Sequence, residues 1–67
     1  MFKDYASHGE AAAGLVKEGI TGMNVEIVPV MGGRFQPVII CDFEADLQRC
    51  QKMGFNARLT NDYAYDG

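Results

Sequence analysis

Two cysteines and one histidine are all the thiol and imidazole ligands this 67-residue chain has, and their scarcity excludes most zinc chemistry. Cys41 and Cys50 form no C-x-x-C pair, and His8 stands far from both, whereas zinc takes four ligands at short, recognisable spacings. No metal site is expected, and the cysteines read as small buried hydrophobes. Positive charge is equally thin. Lys3, Lys17, Arg34, Arg49, Lys52 and Arg58 are scattered through a chain of net charge −3, and nucleic-acid affinity comes from concentrated basic residues that release counterions. Direct nucleic-acid binding is therefore disfavoured. No apolar run approaches the roughly 20 residues needed to cross a bilayer, and none at the start resembles a signal peptide. A cytoplasmic, reducing setting with no membrane partner is the expectation.

Catalytic motifs are missing as well. His8 has Asp4 and Glu10 nearby in sequence, but Ser7 beside it already has a capping role and no nucleophile elbow or glycine-framed serine appears, so it reads as a surface residue. The carboxylates Asp42, Glu44 and Asp46 suit the first turn of a helix, where negative charge is favoured, without invoking acid–base work. Gly32-Gly33-Arg34 lacks the lysine and following helix of a phosphate loop and reads as a turn. No enzyme activity and no cofactor are expected. The chain is also short, so one domain is all it allows, and a chain of this size buries only roughly 60% of the surface its unfolded form exposes. Its hydrophobic content of 48% nevertheless places it among folded proteins. With so small a core, self-association or docking onto another protein is a natural supplement.

What the chain does have is a hairpin, Asn24-Val25-Glu26-Ile27-Val28-Pro29-Val30-Met31, then Gly32-Gly33, then Arg34-Phe35-Gln36-Pro37-Val38-Ile39-Ile40-Cys41. Ahead of it, Ser7 and Glu10 have the spacing of a capping box. A short helix follows through Ala11–Glu18, with Gly19 at its left-handed end and Ile20 packing back. Gly9 and Gly14 weaken it by about 1 kcal/mol each if interior, so Leu15, Val16 and an aromatic from Tyr5 or Phe2 must hold it by packing. A start nearer Asp4 stays open. After the hairpin, Asp42 can cap a second helix with Glu44 and Asp46 in its first turn. Arg49 and Lys52 lie toward its end, and Gly54 stops it. Phe43, Leu47, Cys50 and Gly54 form its apolar stripe, flanked by Met53. Phe55–Thr60 alternates as a short third strand, expected antiparallel, and Asn61–Gly67 reads as a flexible acidic tail. The order describes one small two-layer α+β domain, helix, β-hairpin, helix and short third strand.

A loop made of the two glycines alone places Val25 and Ile27 on one face with Val38 and Ile40. Val28, Val30 and Phe35 then share the other face with Ile39. It also puts Pro29 and Pro37 in different hydrogen-bonding classes, one facing inward, which a proline does not tolerate. Either a bulge intervenes or the loop is wider, reaching from Met31 to Phe35. In both cases the end of the hairpin resists further pairing and projects as an arm carrying Val30, Met31, Arg34 and Phe35. Aromatic residues, methionine and arginine are enriched in interfaces, so these four are candidate partner-binding residues, beside the competing reading that Met31 and Phe35 close the core. Tyr63 and Tyr65 in the acidic tail are candidates for a basic groove.

In size, acidic balance and helix–strand–strand–helix layout, the chain resembles the small accessory proteins of phages and mobile elements, including the anti-CRISPR inhibitors. The resemblance covers architecture and composition, with no shared motif. It implies a cytoplasmic, non-enzymatic, stoichiometric inhibitor whose acidic face and hairpin occupy a basic, nucleic-acid-binding protein surface. The alternatives are a small nucleic-acid-binding regulator, with Arg34, Arg49, Lys52 and Arg58 on phosphates, and a structural homo-oligomer such as a homodimer.

Overall fold

A computed structural model describes residues 1–63, with backbone alone for Asp62 and Tyr63. Its elements run α1 (His8–Lys17), β1 (Asn24–Val30), β2 (Arg34–Cys41), α2 (Glu44–Lys52), β3 (Asn56–Leu59) and α3 (Thr60–Tyr63). The α+β class and the element order agree with the sequence reading. The tail expected from residue 61 instead begins as the helical turn of α3, and residues 64–67 lie outside the described residues.

Ser7 caps α1, its backbone extended and its hydroxyl accepting from the Glu10 N–H at 3.1 Å. Both longer helices stop in the same way. At the end of α1 the Ile20 N–H reaches the Leu15 carbonyl and the Gly19 N–H that of Val16. At the end of α2 the Phe55 N–H reaches the Cys50 carbonyl and the Gly54 N–H that of Gln51. Gly19 and Gly54 carry the positive φ, 78° and 93°, that this paired-bond cap requires. The residues bonded across each cap, Leu15 with Ile20 and Cys50 with Phe55, are all buried in one core cluster. Each helix end thus delivers a side chain to the core and aims the chain toward its next strand. Asp42, expected to cap α2, does not. Phe43 holds the cap position with no side-chain bond, and the Asp42 carboxylate accepts from the Thr60 hydroxyl at 2.7 Å, tying α3 to the end of β2.

The sheet order is β1-β2-β3. β3 pairs parallel to β2, with Ile39 beside Ala57, correcting the antiparallel expectation. The physical reason is the intervening helix: α2 carries the chain back to the start of β2, so the next strand sets off in the same direction. α1 and α2 pack on one face of this sheet. The core there joins Leu15 and Ile20 to Ile39, Cys41, Cys50, Phe55 and Ala57, with Met23, Val25, Leu47 and Met53 around them.

The hairpin register differs by one residue from the two-glycine reading. Val30 pairs with Arg34, Pro29 with Phe35, Ile27 with Pro37 and Val25 with Ile39, so the loop is Met31-Gly32-Gly33. Phe35 directs its N–H and C=O to Tyr5, both bonds 2.8 Å, and so points its backbone away from β1. Alternation then gives Pro37 and, across the ladder, Pro29 the same orientation. The nitrogen of Pro29 faces the open edge. That of Pro37 faces the gap on β2 between Tyr5 and the start of the β3 pairing at Val38. One slip of register lets both prolines sit without breaking a ladder bond.

Urea unfolding checks the role of the caps. Gly19→Ala and Gly54→Ala should each cost about 1 kcal/mol because alanine resists the left-handed backbone. Gly9→Ala, inside α1 where an added Cβ meets nothing within 4 Å, should gain about 0.5–1 kcal/mol.

Candidate interaction surface

The observed register sorts the sheet into two unlike faces. Val25, Ile27, Pro29, Phe35, Pro37, Ile39 and Cys41 share the helix side. The opposite face carries Val28, Val30, Val38 and Ile40, framed by Asn24, Glu26, Arg34, Gln36, Asn56 and Arg58. The 3.0 Å hydrogen bond from the Asn56 amide to Gln36 runs along this face and confirms the parity. Neither Val38 nor Ile40 belongs to the core cluster that the helices cover. Val38 is buried, 7% exposed, whereas Val28, Val30 and Ile40 are half-buried.

The four hairpin residues singled out from the sequence are not one patch. Val30 lies on the outer face, half-buried, and Met31 stands at the tip, 94% exposed. Arg34 shares the outer face, but its guanidinium is bound back to the chain, donating to the Asp4 carboxylate and to the Asp4 carbonyl at 3.2 Å. Phe35 falls on the other side, half-buried, with His8 edge-on at a centroid distance of 6.4 Å. The expected free arm is instead strapped down. The N-terminal segment bridges Phe35 through Tyr5, and the Tyr5 ring lies so close on α1 that a Cβ at Gly14 would stand 2.6 Å from it. Lys3 anchors the same segment further along, bonding the Gly54 carbonyl through its N–H at 2.8 Å and Glu18 through its ammonium at 3.2 Å. That ammonium also sits 5.0 Å from the centroid of Phe55. Tyr63 ends α3, and Tyr65 lies outside the described residues.

Sequence reasoning missed Val28, Val38, Ile40, Gln36, Asn56 and Arg58 as members of one face. The signal that could have found them was the parity of Pro29 and Pro37. Both positions are odd, so an antiparallel register that treats them alike pairs odd with odd.

The other clusters on the molecule are occupied by structural work. A cleft lined by Met23, Ile40, Phe43, Asp42 and Asp46 opens where β2 meets α2. Its carboxylates already accept from Thr60 and, at 3.3 Å, from Arg49. Among the described residues no group of three or more His, Cys, Asp or Glu side chains is placed to hold a metal ion. Cys41 and Cys50 are free thiols in the core, as expected of small hydrophobes. Burial pushes the Cys41 thiol up to about 11, and the neighbouring Cys50 adds to the rise. Comparison with protein-family models, curated proteins and solved structures finds no match to this chain.

The raised thiol has a stability consequence. An unfolded thiol ionises near pH 9 and the folded one near 11, so its contribution is intact below pH 9 and is lost as pH climbs through 11. Relative to Cys41→Ala, whose own loss of packing is independent of pH, the natural chain should lose about 2 kcal/mol between pH 8 and pH 11. Denaturation across that window checks it.

Proposed function

We propose that this chain is a non-enzymatic binding module that docks a protein partner through its outer sheet face. The observation that carries the reading is the packing of α1 and α2 on one side of the sheet, which leaves an apolar row of Val28, Val30, Val38 and Ile40 facing away from that core cluster within a polar frame. An apolar centre inside a polar rim is the arrangement of specific protein interfaces. The exposed tip residue Met31 adjoins the row through Val30 and extends it. Arg34, held by Asp4, serves as a fixed rim group.

The net charge of −3 supports a basic partner surface. A stoichiometric inhibitor covering a nucleic-acid-binding protein, of the anti-CRISPR type, is the form of module this reading favours. Direct nucleic-acid binding finds less support, because Arg34 and Arg49 are both already paired with carboxylates.

Capture by the tagged chain from nuclease-treated lysate of the source cell or its host tests the reading. Val28→Lys should weaken the recovered complex at least about tenfold, whereas Val16→Lys, on the exposed side of α1, should leave it unchanged. Equal loss in both variants, or a complex that nuclease abolishes, would contradict docking through this face.

A further inference from the structure

The geometry points to β1 as the seam of a symmetric homodimer, in which two chains pair their β1 strands antiparallel with the two-fold axis at Ile27. Unlike the outer face discussed above, the seam is a strand edge.

β1 is seven residues long and stands at the edge of the sheet. The alternation set by Phe35 turns the backbone of Val25, Ile27 and Pro29 away from β2. Among the described residues, the outward N–H and C=O groups of Val25 and Ile27 have no hydrogen-bond partner. An exposed edge of this length is a template for pairing unless it is covered, bulged or blunted by charge or proline, and β1 carries one of each, Glu26 and Pro29. Pro29 withholds one donor but leaves its carbonyl available, so the stretch from Asn24 to Val28 stays open. Val25 and Ile27 are also only half-buried on the helix side, so a further strand there would complete their burial.

A second copy fits that edge by the pairing of its own residues. With the axis at Ile27, the two Ile27 residues exchange both backbone bonds, and each Val25 N–H reaches the Pro29 carbonyl of the other copy. The proline's missing donor then costs one bond per copy at the rim of the ladder. On the helix side, Ile27 meets Ile27 and Val25 meets Pro29, all apolar. On the outer side, Glu26 opposes Val28. Moving the axis to Glu26 would set two carboxylates opposite each other at the closest spacing in the ladder, which is destabilising. Charge therefore disfavours the Glu26 register. The product is one continuous sheet of both copies with α1 and α2 of each on one side and the two outer faces joined into one.

Amide exchange on the natural chain, with mass by sedimentation, tests the seam. The Val25 and Ile27 amides should gain at least about tenfold protection between about 20 µM and about 1 mM as the mass doubles from 7.4 kDa. A chain carrying N-methyl-Ile27, made by chemical synthesis, should stay at 7.4 kDa with an unchanged fold, because the methyl group points to the open edge as the ring nitrogen of Pro29 already does. A 7.4-kDa mass persisting at about 1 mM would overturn the seam. So would a dimer that leaves these two amides unprotected or that tolerates the N-methyl group. None of these outcomes bears on docking through the outer face, which the Val28→Lys capture decides separately.

Discussion

A proline nitrogen that cannot donate constrains this structure more than any single contact in it. Pro37 sits in the central strand, fully buried, where a missing donor ordinarily breaks a ladder. It is tolerated because its nitrogen meets the one interval of β2 left unpaired, between the Tyr5 bridge and the first β3 pair at Val38. Pro29 is tolerated because it faces the free edge. Both conditions hold only if the hairpin closes through Met31-Gly32-Gly33. That register in turn decides which side chains meet the helices and which form the outer face.

The helices answer to a second rule, applied twice. Each ends in the same paired-bond cap, and each cap places its first residue beyond glycine, Ile20 or Phe55, into the common core. Phe55 leads directly into β3. The short chain thereby obtains a compact core from few residues, and the N-terminal segment closes its flank through Lys3 on Gly54, Tyr5 on Gly14 and Asp4 on Arg34. Among the described residues, α1 and α2 both pack on the side of the sheet opposite Val28 and Ile40.

Local chemistry made much of this legible in the sequence. Ser7 with Glu10, Gly19 with Ile20, and Gly54 after Lys52 mark helix ends by the hydrogen bonds they make possible, and those marks agree with the structure. The Gly-Gly hairpin was visible for the same reason. Asp42 was misread because an aspartate before a helix suits a cap and a tertiary bond equally, and its partner Thr60 lies 18 residues away. The orientation of β3 depends on the path of α2, which no residue within Asn56–Leu59 encodes. The candidate surface was split wrongly for a sharper reason: one residue of register exchanges the faces of a strand, so Phe35 moved to the helix side and Val38 and Ile40 joined Val28. The conflict between Pro29 and Pro37 under a two-residue loop already pointed to that slip.

The register carries both the outer face and the β1 edge, so its direct measurement matters most. In an antiparallel ladder, non-hydrogen-bonded partners bring their Cα atoms to about 4.5 Å, close enough for strong contacts between α-protons in a nuclear Overhauser spectrum. The structure predicts such contacts for Val25 with Ile39, Ile27 with Pro37, and Pro29 with Phe35. Strong α-proton contacts pairing Ile27 with Val38 would restore the two-glycine loop, return Val38 and Ile40 to the face of Val25, and contradict the account.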